Sequence, residues 1–360
     1  MSLARTIITI VRSLTGMFNV TEIHETKRFS GEGIRRLHIR TPFVTVRLRS
    51  TKEGEGAAAL TGEVSSRYKD AFVFDVRRNE DALEISVERT AARSFFFGWM
   101  VNRLTLDVRL PDNVYESIAL HSSSGDVFLQ DVAAGTVTVK TSSGDVQAID
   151  LRAEDRCFIR SSSGDVRATN IGAKRIDMEA TSGAFLLKNI TAETLTVSAT
   201  SGGIKAFRIA GHHFRAEASS GDLQAADVSV KRFSARTRSG DMELHHIVAG
   251  HVQFSASSGD ISVAKVSGAL DIETSSGDIR ILSDALTDDC RLRATSGDID
   301  IKLADPSDVM LFFSSSSGQG RVQVPAMVFQ EKSDHIICGM TGSGRCRLHA
   351  QTSSGNFRLS

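Results

Sequence analysis

Apolar and polar residues alternate along most of the chain, and the alternation itself repeats. The string Ser-Gly-Asp-apolar, or a close variant, recurs with its glycines at Gly125, Gly144, Gly164, Gly183, Gly202, Gly221, Gly240, Gly259, Gly277 and Gly297. Successive intervals are 19, 20, 19, 19, 19, 19, 19, 18 and 20 residues. Counted from each glycine, apolar side chains stand at −7, −5, +2 and +4; Val252, Phe254, Ile261 and Val263 around Gly259 are one set. Steps of two are the strand period. Polar residues fall between them, with Lys140, Arg160, Glu179, Glu217, Arg236 and Glu273 at −4.

Each unit therefore predicts two short strands around a Ser-Gly-Asp corner, with a second corner near residues 150–153 or 266–268 closing the coil. One such coil cannot bury its apolar face, but coils stacked in register can. An antiparallel sandwich would explain the alternation, yet it does not require the same residue at every nineteenth position. The predicted fold is all-β: a single-chain parallel β-solenoid, a β-helix expected to be right-handed, of about ten 19-residue coils. The predicted organisation is an amphipathic helix over residues 1–19, an irregular β cap over 20–117, regular repeats over 118–305, and irregular C-terminal coils and a cap over 306–360.

The corner has its own chemistry. Glycine suits a positive φ or a tight backbone, and the following aspartate can accept backbone N–H bonds as in an Asx turn. The structural corner residues are Gly125, Asp126, Gly144, Asp145, Gly164, Asp165, Gly221, Asp222, Gly240, Asp241, Gly259, Asp260, Gly277, Asp278, Gly297 and Asp298. The serines before the glycine, among them Ser124, Ser143, Ser163, Ser182, Ser201 and Ser220, are expected to face inward. The aspartates would form a column broken at Ala184 and Gly203, and stacked carboxylates repel unless something compensates. The spacing is not that of a calcium β-roll, so no metal or cofactor is expected. Cys157 and Cys290 occupy the −7 slot and read as buried hydrophobes. The pairs His212, His213 and His245, His246 lie at different offsets and should not share a face. No residue stands out as a nucleophile or as an acid–base pair, so no catalytic residue is assigned.

Composition narrows the function. Forty-three basic and forty-three acidic residues leave no net charge, so nothing draws the chain to nucleic acid. The hydrophobic fraction of 41% excludes intrinsic disorder, and no apolar stretch is long enough for a membrane-spanning helix. Two features outside the repeat suggest contact with a partner or a membrane. Leu3, Ile7, Val11, Leu14 and Phe18 fall at helical spacing with Arg5 and Arg12 among them, which reads as a core cap or as a basic surface helix. Phe95, Phe96, Phe97 and Trp99 form the densest aromatic run, a plug or an exposed tip.

The serial Ser-Ser-Gly-Asp-Val/Ile units, preceded by an irregular β region ending at Leu110 and Pro111, resemble the bacterial putative-adhesin family of β-strand-repeat domains of unknown function. The resemblance covers residues 30–360. It implies a parallel β-helix, a bacterial origin, no established enzyme activity, and relatives associated with envelope regulation and membrane stress. The expected function is a non-catalytic scaffold or adhesin-like interaction protein, with a protein partner or self-association and a membrane surface as contacts. Without a recognisable export signal, the expected location is cytoplasmic, peripheral to the inner membrane. The alternative is a carbohydrate-binding or carbohydrate-cleaving β-helix. That reading needs a groove of carboxylates and aromatics, whereas Phe128, Phe158, Phe207 and Phe312 are scattered.

Overall fold

Period-two patterns can only satisfy both their backbone groups and their apolar face by pairing strands around an interior. The computed structural model describes residues 6–8, 20–66, 70–90, 102–113 and 115–360. It is an all-β solenoid of about ten coils of about 19 residues, without an α-helix among the described residues. All forty side chains at −7, −5, +2 and +4 in the ten repeats are buried, the most exposed being Leu270 at 4%.

The helix expected over residues 1–19 is not formed where that segment is described. Thr6–Ile8 is a strand antiparallel to Val20–Ser30, with Thr6 opposite Lys27 and Ile8 opposite Glu25. The run from Thr6 to Val11 is β-branched throughout, which costs side-chain freedom in a helix and favours pairing with an open strand edge. Ile7 lies in that strand. Leu3, Val11, Leu14 and Phe18 lie outside the described residues, as do Phe95, Phe96, Phe97 and Trp99.

The chain divides into two compact units, Met1–Asp177 and Met178–Ser360. In the first, Val127–Thr141 runs parallel to Val146–Ser161 with Val127 opposite Val146 and Val137 opposite Cys157, so equal offsets meet. The 20-residue interval between Gly144 and Gly164 is absorbed by a register shift between Ala134 and Thr136, the usual way a strand accommodates an extra residue.

The stack does not begin at the first Ser-Gly-Asp. Arg36–Thr41 pairs with Tyr115–Ser122, placing Leu37 beside Ile118 and Ile39 beside Leu120. Thr45–Thr51 pairs with Val127–Thr141, placing Val46 beside Val127 and Leu48 beside Leu129. Residues 36–51 are thus a coil, whose corner is made by Thr41, Pro42, Phe43 and Val44. Ala82–Arg89 and Asn102–Pro111 form the next rungs outward, with Leu83 beside Leu37 and Leu106 beside Val46. Antiparallel strands then cover the edges: Phe72–Asn79 on Ala82–Arg89, Glu55–Ser65 on Asn102–Pro111, and Val20–Ser30 on Glu55–Ser65.

The second unit ends with a similar departure from chain order. Cys346–Thr352 lies between Cys290–Ala294 and Val309–Ser315, parallel to both. Phe357–Leu359 likewise lies between Ile299–Leu303 and Gly320–Val322. The last coil of the sequence is therefore inserted beneath the one before it. Arg347 holds it to Asp289 at 2.5 Å, and the antiparallel pair Val328–Lys332 and Ile336–Met340 covers Val309–Ser315.

Candidate functional site: corner ladders and a carboxy-terminal arginine cleft

The corner glycines do not have positive φ. Their role is close approach: a Cβ on Gly144 would overlap the carbonyl oxygen of Gly125, and one on Gly240 that of Gly221. The coils meet backbone to backbone here, and only a residue without a side chain fits.

The corner aspartates work between coils rather than within their own turn. Asp145 N donates to Asp126 Oδ1 at 3.0 Å and Asp165 N to Asp145 Oδ1 at 2.9 Å. In the second unit Asp241 N, Asp260 N, Asp278 N and Asp298 N donate in the same way to Asp222, Asp241, Asp260 and Asp278, at 2.9–3.0 Å. Each carboxylate accepts an N–H that the corner would otherwise leave unpaired. Arginines offset the remaining repulsion. Arg167 sits 3.3 Å from both Asp145 and Asp165, and Arg280 lies 2.9 Å from Asp260 and 2.6 Å from Asp278.

The inward hydroxyl is at −3, not −1. Ser124, Ser143, Ser163, Ser182, Ser201 and Ser220 are all exposed, whereas Ser122, Thr141 and Ser161 are buried. Their oxygens accept the N–H groups of Gly125, Gly144 and Gly164 at 3.1, 3.1 and 2.8 Å. Alternation breaks because two consecutive corner residues face solvent while their N–H groups continue the intercoil ladder, as when Ser143 N donates to Ser123 O at 2.8 Å.

The second corner sits six residues after the first, at Asp150 in the coil of Gly144. Asp131, Asp150, Asn170, Asn189, Arg208, Asp227, His246 and Lys265, each six residues after a corner glycine, have φ between 53° and 57°. One left-handed residue reverses the inward parity, so the next buried column is at +7: Val132, Leu151, Ile171, Ile190, Ile209, Val228, Ile247 and Val266. Side chains at +6 bond along the stack. Asn170 donates to Asp150 at 2.7 Å, Arg208 donates to Asn189, and His246 Nδ1 meets Asp227 Oδ1 at 2.8 Å. The signal was present in the sequence as an unbroken polar column at +6.

Cys157 and Cys290 are buried and unpaired, and burial pushes the Cys157 thiol up to about 12. His213 lies beside Arg232 rather than beside either member of the second histidine pair. No group of three His, Cys, Asp or Glu side chains converges to hold a metal among the described residues.

A cleft of about 450 Å³ lies over the last coils of the second unit. Its wall is the outward position three residues after Gly277, Gly297 and the further corner glycines Gly318 and Gly355. Strand register places Arg280 beside Asp300, Asp300 beside Arg358, and Arg358 beside Arg321. Asp278, Asp298, Asn356 and Gln319 form the rim. Arg280 is held by Asp260 and Asp278, but Arg321 and Arg358 form no ion pair among the described residues. Asp300 Oδ1 is shielded from solvent and no protein donor reaches it. Sequence order alone would separate Asp300 from Arg358 by 58 residues, so this grouping could not be read from spacing.

No curated protein matches the chain. Solved structures that align with it include a putative adhesin of Parabacteroides distasonis, 9% identical, with a TM-score of 0.32 over 94% of this chain and 97% of that one. A putative adhesin of Bacteroides fragilis is 11% identical, with a TM-score of 0.27 over 94% and 97% of the two chains. A putative lipid binding protein of Parabacteroides distasonis is 10% identical, with a TM-score of 0.29 over 94% and 96%. These superpositions are too loose to bear on function. The sequence profile of one family covers residues 34–213 and 208–360, which takes in every coil from residue 36 onward. The chain therefore belongs to the Toastrack DUF4097 family, β-repeat domains of unknown function.

Proposed function

We propose that the protein is a non-catalytic, adhesin-like interaction scaffold that works on the cytoplasmic side of the inner membrane, peripheral to it, in envelope maintenance. The observation that supports this most is the use of the corner carboxylates. Their oxygens accept backbone N–H groups of the next coil and pair with arginines, which makes the column a stiffening element and leaves no acid–base pair poised for proton transfer. Stiffened coils in a chain without net charge suit a scaffold that holds partners rather than transforms them. The sequence adds the apolar residues Leu3, Ile7, Val11, Leu14 and Phe18 and the run Phe95, Phe96, Phe97 and Trp99, flanked by Arg5, Arg12, Arg93 and Arg103, a composition suited to an anionic lipid surface.

Liposome flotation tests the membrane part. The full chain is expected to float with vesicles containing anionic lipid and not with neutral ones, and both Trp99→Ser and removal of residues 1–18 should reduce flotation. Absence of flotation by the intact chain would discard the membrane contact and leave a scaffold that meets protein partners or itself.

A further inference from the structure

We propose that the cleft over the last coils is a binding site for an acidic sugar, a ring that carries one carboxylate beside free hydroxyls. This goes beyond the scaffold reading and does not depend on it. Three observations determine the ligand class. Arg358 and Arg321 stand on adjacent parallel strands without a carboxylate partner among the described residues. Their rungs are about 4.8 Å apart, so the two planar guanidinium groups can hold one carboxylate between them with paired N–H donors.

On the neighbouring rung, Asp300 lines the cleft between Arg280 and Arg358 yet pairs with neither; its Oδ1 is closed to solvent, so a ligand meets its other oxygen. A carboxylate can only accept, so the group it lacks is a donor such as a hydroxyl. Asp298 accepts the Asn356 N–H at 2.7 Å through Oδ1, and the amides of Asn356 and Gln319 complete a polar rim.

Charge balance separates the candidates. Arg280, Arg321 and Arg358 face Asp278, Asp298 and Asp300, so the lining is neutral overall. A phosphate dianion would satisfy the arginines but face Asp300 without offering it a donor. A neutral sugar would satisfy Asp300 and leave both arginines unanswered. A sugar carboxylate answers both sides. The cleft volume of about 450 Å³ falls within the ~300–1,000 Å³ usual for small-molecule sites. The lining residues stand on paired parallel strands, which fix their spacing before a ligand arrives. Phe357 is only 1% exposed, so recognition rests on charge and hydrogen bonds rather than on ring stacking.

Titration calorimetry of the full chain tests this, with methyl glucuronide, methyl glucoside and inorganic phosphate as separate probes. Saturable binding of methyl glucuronide is expected, weakened by about tenfold or more in Arg321→Gln and in Arg358→Gln. Asp300→Ala should also weaken it, while Lys205→Gln, at the same offset on a distant coil, should leave it unchanged. Thermal melts of each variant show whether the fold is retained. Three outcomes would overturn the proposal: no saturable binding of methyl glucuronide, equal binding of methyl glucoside or of phosphate, or binding indifferent to both arginine changes.

Discussion

Each coil turns twice, and the two corners impose opposite demands on sequence. At the first, ordinary backbone angles bring successive coils so close that a Cβ would strike a carbonyl oxygen, and glycine recurs at every repeat. At the second, φ lies in the left-handed region, where glycine would be easiest, yet the eight residues there are aspartate, asparagine, arginine, histidine and lysine. The difference shows that steric contact between coils selects more strictly than backbone angle. A left-handed residue costs about 1–2 kcal/mol, which a side-chain bond to the next coil can partly offset. A buried overlap has no such remedy.

The contrast can be broken most sharply at the first corner. Gly240→Val should lower stability by about 3 kcal/mol, read from chemical denaturation, because its Cβ would come within 2.3 Å of the Gly221 carbonyl oxygen. If it melts like the parent chain, close approach is not what glycine serves. Asp241→Ala should cost about 1 kcal/mol, since the Asp260 N–H loses its acceptor. Asp241→Asn, which keeps an oxygen there, should cost less.

A pH scan probes the inserted C-terminal coil, away from both corners. Burial, and then Arg291 and Arg293, hold the His349 imidazole below its ordinary value of 6.5. The folded state thus favours the neutral ring. Its contribution is complete above pH 6.5 and is lost as pH falls through the lowered value. Stability should therefore decline on acidification from pH 7 to pH 5, and His349→Gln should flatten that slope in a denaturation series. An unchanged slope would show that the imidazole titrates alike in both states. The smallest effect is expected at the second corner. Arg208→Gly should shift stability by less than about 1 kcal/mol, because relief of the left-handed angle is set against a more flexible unfolded chain and a lost bond to Asn189. A loss as large as that of Gly240→Val would remove the distinction between the corners.

Much of this protein was legible as a pattern. Strands at −7, −5, +2 and +4, the parallel stacking of equal offsets, and the burial of Cys157 and Cys290 follow from a period that has only one interior to face. The polar column at +6 was equally visible, but its meaning depends on a backbone angle that reverses parity, and the column at +7 from Val132 to Val266 was hidden by that reversal. Ser124 and its equivalents were misplaced for a related reason: strict alternation was carried through a corner where it stops.

The ends were decided elsewhere. A strand edge accepts any partner that brings matching donors, acceptors and apolar side chains, whatever its distance along the chain. Residues 36–51 join the stack through Leu37, Ile39, Val46 and Leu48 although Thr41, Pro42, Phe43 and Val44 share nothing with Ser-Gly-Asp. The segment from Cys346 to Leu359 enters between coils that precede it, and that insertion alone brings Arg358 between Asp300 and Arg321. Local sequence determined which residues form each coil and which face each presents, because side-chain direction is a property of the strand itself. The order of the end coils, and with it the arginine cleft, depended on which edges remained open in three dimensions.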